Sequence, residues 1–293
     1  MKTSLHRILT KDNLELVGLL YEPEEKTSKI LVHVHGMAGN FYENRFLDAL
    51  AKTLTDNGIA FFAFNNRGCE SLKYLTKTLP GGKKEYVRAG NSYEKFEDSL
   101  LDIQGAIDAV SLWGFNDIHL SGHSLGSPKV SYYLSQTQDK RVASLILLSP
   151  SDMLGLVRDE KETFERDINE ARTLVKAGKG EELLSHEIWD ECPLSANTYL
   201  SLFGDDSPVA IFNFFDPNFK LPVLGTITQP IFVTMGREDD CLTVSIEETM
   251  ERITKASTQS SHVETKILGD ANHGYIGFED DLAQTVLTWI QKT

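Results

Sequence analysis

Near-continuous apolar stretches recur along this chain at intervals that only an alternating strand–helix fold explains. Lys29 to His35, Ile59 to Asn65, Ile118 to Ser121, Ala143 to Leu148 and Pro230 to Met235 are each too short for a buried helix. They lack the polar alternation of a half-solvated strand, so they read as strands buried on both faces. Between them lie amphipathic stretches: Tyr42 to Asn57, closed by Gly58, and Asn91 to Leu112, with Asn91 as N-cap and Glu94 three residues on. Upstream, Leu5 to Tyr21 reads as two antiparallel strands around Lys11-Asp12-Asn13. Strands that alternate with helices imply an α/β fold: a mostly parallel central sheet with helices on both faces.

The alternation stops at Ser149-Pro150. From Ser151 to Leu221 the chain is acidic and helix-like, carries the aromatic stretch Phe212-Asn213-Phe214-Phe215, and shows no clear strand. Sheet patterning resumes at Ile231, and Val263 to Ile267 alternates as a last strand. This divides the chain into a core, residues 1–150 and 222–293, and an insertion, residues 151–221. A second irregular stretch, Ser71 to Gly90, reads as a long basic loop around Pro80-Gly81-Gly82.

Candidate chemistry sits where strands end. Gly122-His123-Ser124-Leu125-Gly126 follows a strand and opens a helix, the context in which G-x-S-x-G forms a tight turn that presents a nucleophile. A serine hydroxyl needs a base to take its proton and an acid to orient that base. Two later strand ends supply them. Gly236-Arg237-Glu238-Asp239-Asp240 follows one strand and Gly269-Asp270-Ala271-Asn272-His273-Gly274 the next. His273 is the candidate base. Asp239 is the first candidate for the acid, with Asp240 and Asp152 as alternatives.

Taken together, His35-Gly36 after an early strand, Asn66-Arg67-Gly68 after the next, the Ser124 turn, Gly236-x-x-Asp239 and the late His273 resemble the α/β-hydrolase superfamily over almost the whole length. Within it the chain resembles serine esterases related to the siderophore-esterase-like group. The resemblance implies an α/β-hydrolase fold whose insertion at 151–221 forms a helical cap. It implies a Ser124, Asp239, His273 triad, and an oxyanion hole from the Leu125 and Met37 amides. Phe212, Phe214 and Phe215 would line a substrate pocket under the cap. The expected activity is hydrolysis of a carboxylic ester, with amide hydrolysis, acyl transfer or ligand binding without turnover as alternatives.

Composition narrows the partners. With 43 acidic against 29 basic side chains the formal charge is −14, which argues against nucleic acid or an anionic membrane; the partner that the resemblance implies is a small-molecule ester. No apolar run approaches a membrane span and the first residues lack the pattern of a signal peptide. Three widely spaced cysteines make a poor disulfide framework and suggest the reducing cytoplasm. Ester hydrolysis by a triad needs no cofactor and no metal. The one metal-like spacing, His33 with His35, reads instead as a packing histidine beside an oxyanion loop. Arg67 is open between a loop-fixing ion pair and an anion contact.

Overall fold

The computed structural model describes residues 1–189 and 192–293. In chain order it forms β1 (Lys2–Leu9), β2 (Glu15–Glu22), β3 (Lys29–Val34), α1 (Arg45–Asp56), β4 (Ala60–Phe64), β5 (Lys73–Thr78) and β6 (Lys84–Ala89). Then follow α2 (Ser99–Leu112), β7 (Asp117–His123), α3 (Gly126–Thr137), β8 (Val142–Leu148), α4 (Met153–Asp159), α5 (Lys161–Lys176) and α6 (Ala196–Phe203). The chain closes with β9 (Ile231–Met235), α7 (Ile246–Ala256), β10 (Val263–Ile267) and α8 (Glu279–Lys292). Eight strands make one sheet in the order β1-β2-β4-β3-β7-β8-β9-β10. Strand β2 runs antiparallel to both its neighbours, and every pairing from β4 to β10 is parallel.

The buried runs divide by residue parity. Ile30, Val32 and Val34 of β3, Leu145 and Leu147 of β8, and Ile231, Val233 and Met235 of β9 enter one core with α2 and α3. Leu31, Ile146, Leu148 and Phe232 point the other way into a second core with α1 and α8, where Phe46, Leu50 and Trp289 are fully buried. The period-two geometry of a strand sends neighbours to opposite faces, so a strand covered on both sides must be apolar throughout. Each such side chain contributes roughly 1.5–3 kcal/mol by leaving water.

The order of connections fixes where a site can form. From β3 the chain turns outward to β4, and it later returns to β7 on the other side of β3. The loops leaving the carboxyl ends of β3 and β7 therefore diverge and open a crevice between them.

Two expectations are corrected. The stretch Ser71 to Gly90 is an ordered antiparallel hairpin, β5 with β6, whose turn uses Gly81 and Gly82 at φ 83° and 81°. The helix before β7 begins at Ser99, after a short 3-10 turn, and not at Asn91. The backbone of 91–94 is held by tertiary bonds instead: Asn91 N donates to Glu70 O and Ser92 N to Ser71 O. The Glu94 carboxylate meets Lys129 at 2.7 Å in the interior. Burial of that pair overrides the local capping pattern.

Residues 151–221 hold α4, α5 and α6 and no strand of the main sheet among the described residues. Their apolar side chains, among them Leu154, Ile168, Tyr199, Phe203 and Phe212, belong to the same core as α2 and α3. This segment is thus continuous with the sheet's hydrophobic core.

Candidate active site

The turn after β7 carries the strain its motif requires. Ser124 sits at φ 54°, a left-handed conformation that non-glycine residues seldom adopt. Packing holds it there. A Cβ on Gly122 would lie 2.3 Å from the Gly126 carbonyl oxygen, and one on Gly126 would lie 2.2 Å from that of Val34. Only hydrogen fits at either place, so the glycines let strand, turn and helix approach closely. Ser124 N donates to Leu148 O at 3.1 Å, which ties the turn to β8. Gly36, from the loop after β3, abuts it: a Cβ there would stand 2.8 Å from Ser124 Cβ.

His273 arrives from the turn after β10. Its Nδ1–H donates to Asp239 Oδ1 at 2.9 Å, and the Cys241 N–H donates to the same oxygen at 3.1 Å. Asp239 is fully shielded from water, whereas the His273 side chain is 22% exposed. Burial opposes charge on His273, but the Asp239 carboxylate and the Cys241 side chain outweigh it and push its pKa up to about 10. Asp239, despite its own burial, is held below the usual carboxylate value by His273. Bonding through Nδ1 leaves Nε2 as the free ring nitrogen.

The other carboxylates stand apart from this pair. Asp240 is exposed. Asp152 is buried and caps α4 by accepting from Gly155 N at 2.9 Å; it also accepts from Phe215 N at 2.7 Å and Thr243 Oγ1 at 2.5 Å. Asp270 makes no bond to His273.

His123 links the two turns. Its Nε2–H donates to the His273 carbonyl at 2.9 Å, and the two rings lie 4.9 Å apart. Burial and the nearby His273 drive its pKa down to about 3, so it stays neutral. The Ser124 hydroxyl is bonded at 3.2 Å to Ser151 Oγ, just past the end of β8. Ser151 and Cys241 belong to no motif of their own in the sequence. The signal was their position: Ser151 follows the carboxyl end of β8, which pairs with β7, and Cys241 follows that of β9, the next strand in the sheet.

Among the described residues neither Met37 N–H nor Leu125 N–H has a hydrogen-bond partner. Both are unspent donors flanking Ser124, one after Gly36 and one at the start of α3. The loop they frame is braced by His35, whose Nδ1–H donates to Gly36 O at 2.9 Å while Nε2 accepts from Asn66 N at 3.0 Å. Both its ring nitrogens are therefore occupied, and His33 Nδ1 is bonded to Ser121 Oγ at 2.9 Å. The His33–His35 pair gathers no third metal ligand among the described residues.

Arg67 is an ion-pair residue. It clamps Asp102 through its amide, Nε and a terminal nitrogen at 2.8–3.0 Å, and reaches Asp98 and Asp12 as well. Phe212 and Phe214 are buried in the core, and Arg252 donates to the Phe214 carbonyl at 2.7 Å. Phe215 is 43% exposed.

Comparison with known proteins agrees with this architecture. The family model described as alpha/beta hydrolase fold matches residues 29–254, and the chain belongs to that family. It finds no match among curated proteins. Among solved structures it is similar to a siderophore hydrolase, EstB, from Aspergillus fumigatus, at 17% identity and TM-score 0.72, covering 100% of this chain and 98% of that one. It is also similar to Est1E from Butyrivibrio proteoclasticus with ferulic acid bound, at 20% identity and TM-score 0.65 over 97% and 98% of the two chains. An esterase from Pyrococcus furiosus matches at 18% identity and TM-score 0.65 over 99% and 91%. No helix among the described residues is long and apolar enough to cross a membrane.

Proposed function

We propose that this protein is a serine hydrolase that cleaves a carboxylic ester through an acyl-enzyme, with Ser124 as nucleophile, His273 as base and Asp239 as the acid that orients it. The observation that carries the reading is the bond from His273 Nδ1 to buried Asp239, on a turn tied by His123 to the strained turn of Ser124. Asp239 fixes the tautomer that leaves Nε2 free to accept the Ser124 proton. The resting hydroxyl bonds Ser151, so rotation of the Ser124 side chain precedes attack. Such contacts commonly tighten only once substrate is bound.

The steps then follow. Nε2 takes the hydroxyl proton as Oγ attacks the carbonyl carbon, and the carbonyl oxygen becomes an oxyanion. The unspent amides of Leu125 and Met37 are the donors for that charge; removing one such donor typically costs about 10²–10³ in kcat. The tetrahedral carbon collapses, the C–O bond to the alcohol breaks, and His273 gives its proton to the departing oxygen. Water repeats the sequence on the acyl-enzyme and frees the acid. Every group needed is a side chain or amide of this chain, and no cofactor takes part.

Residues 151–221 act as the cap in this reading, since Ser151 touches Ser124 and Asp152 holds the backbone at Phe215. Phe215 is then the aromatic that meets substrate, while Phe212 and Phe214 pack the cap onto the core. The relatives named above, an esterase and a siderophore hydrolase among them, favour an ester over an amide. The net charge and the absence of a spanning helix among the described residues fit a small molecule met in the cytoplasm. A panel of short-chain, long-chain, aromatic and lactone esters tests the reading. Turnover of at least one class that vanishes in Ser124→Ala is expected, and turnover that persists in that variant overturns it.

A further inference from the structure

Cys241 has no place in the steps above, yet it stands at their centre. One donor atom from each of Asp239, Cys241 and His273 lies within 4.8 Å of the others. Thiolate sulfur, imidazole nitrogen and carboxylate oxygen are the donor set that tetrahedral zinc takes, with bonds of about 2.0–2.3 Å. Donor atoms around such an ion sit about 3.3–3.8 Å apart by that geometry. Closing the observed spread needs a shift on the order of 1 Å at that spacing, which rotation of the half-exposed Cys241 side chain can supply. The carboxylate has capacity to spare, because Asp239 Oδ2 is buried without a hydrogen-bond partner. A fourth position is available from Asp240, whose Oδ1 is 3.9 Å from Cys241 Sγ and open to water. Asp239, Asp240 and a Cys241 thiolate together more than neutralise a dication.

We propose that the turn joining β9 to α7 and the His273 turn form a site for a thiophilic divalent cation of the zinc or cadmium class. The ligands are Cys241 Sγ, His273 Nδ1 and Asp239, with Asp240 or water completing the shell. Loading displaces the Cys241 thiol proton to solvent, and the His273 Nδ1 proton is exchanged for one on Nε2, so the imidazole stays neutral. The imidazole then carries the metal where it held Asp239, and with the ring's one proton on Nε2 it can no longer accept the proton of Ser124. Binding is thus reversible inhibition. That consequence, unlike the binding itself, rests on the function proposed above.

Two readouts separate the parts. Cadmium alone is titrated into the metal-free full chain, and the ultraviolet thiolate-to-cadmium absorption is followed. One equivalent should saturate the band, zinc should compete it away, and Cys241→Ser should abolish it with the melting curve unchanged. His273→Ala should weaken binding about tenfold or more, as loss of a ligand does at least as much as loss of its support. In parallel, a fluorophosphonate probe should label Ser124 in the metal-free protein and be slowed by zinc in the wild type but not in Cys241→Ser. A cadmium band that survives in Cys241→Ser, or zinc inhibition equal in both proteins, overturns the site. Absence of labelling even without metal counts against the hydrolase reading only, and the cadmium band still decides the site.

Discussion

Two clusters of buried polar groups lie on the carboxyl side of the sheet, and they differ in what they leave undone. Around Arg67 the guanidinium is spent on Asp102, Asp98 and Asp12, and its own amide completes the grip on Asp102. Around Ser124 the opposite holds: the Met37 and Leu125 amides have no partner, and His273 keeps Nε2 in reserve. Leu125 is fully buried, and a buried donor without a partner costs about 1–3 kcal/mol, so a fold tolerates it where a ligand will satisfy it. The saturated cluster holds the loops in place, and the unsaturated one is where chemistry can occur.

Substitutions should separate these roles sharply. Replacing Ser124 or His273 by Ala should lower kcat by about 10⁴–10⁶, with the double variant scarcely worse because the groups act as a unit. Asp239→Asn should follow at up to about 10⁴ through loss of the favoured tautomer, and Asp240→Asn should change kcat less than about tenfold. The reverse ranking in steady-state assays would move the role to Asp240. In the saturated cluster the effect should appear in stability. Arg67→Ala strands the buried Asp102 carboxylate and should cost about 3–5 kcal/mol, read as a lowered denaturant midpoint, with kcat per folded molecule within a few-fold of wild type. A kcat loss there as large as that of His273→Ala would erase the distinction.

A smaller effect lies in pH. The His273 pKa is raised in the folded protein to about 10 from an unfolded value near 6.5. The stability it contributes is therefore fully present below about pH 6.5 and is lost as pH rises through the folded value. Catalysis needs the neutral ring, so kcat/KM should climb over the same interval in which this part of the stability falls. Asp239 titrates the other way: its folded pKa is lowered, so its contribution is present above the normal carboxylate value and disappears as pH falls through the depressed one. In Asp239→Asn the residual kcat/KM limb should move to lower pH. A limb that does not move would mean that Asp239 leaves the base untuned.

Much of this was readable in the sequence where a single local constraint decides the outcome. Gly122 and Gly126 around Ser124 report a turn that admits no Cβ, and the buried runs report strands covered on both faces. What stayed hidden depends on contacts between distant segments. Asp239 and Asp240 are neighbours in the same turn, and only its register against the His273 turn, through the Glu238–Asn272 bridge, decides which carboxylate faces the ring. Asn91 and Glu94 have the spacing of a helix cap, but Lys129 claims Glu94. The β5–β6 hairpin buries little besides Leu75 and Ala89, so its alternation was too faint against the lysines. Phe212, Phe214 and Phe215 look alike in sequence and separate only through burial.

The central claim is that Ser124 is an activated nucleophile, and covalent labelling tests it most directly. After brief treatment with a fluorophosphonate, peptide mass spectrometry should find one adduct, on Ser124. It should be absent in Ser124→Ala and strongly slowed in His273→Ala. A protein that stays unlabelled in the absence of metal, or one whose labelling rate is indifferent to His273, would contradict the account.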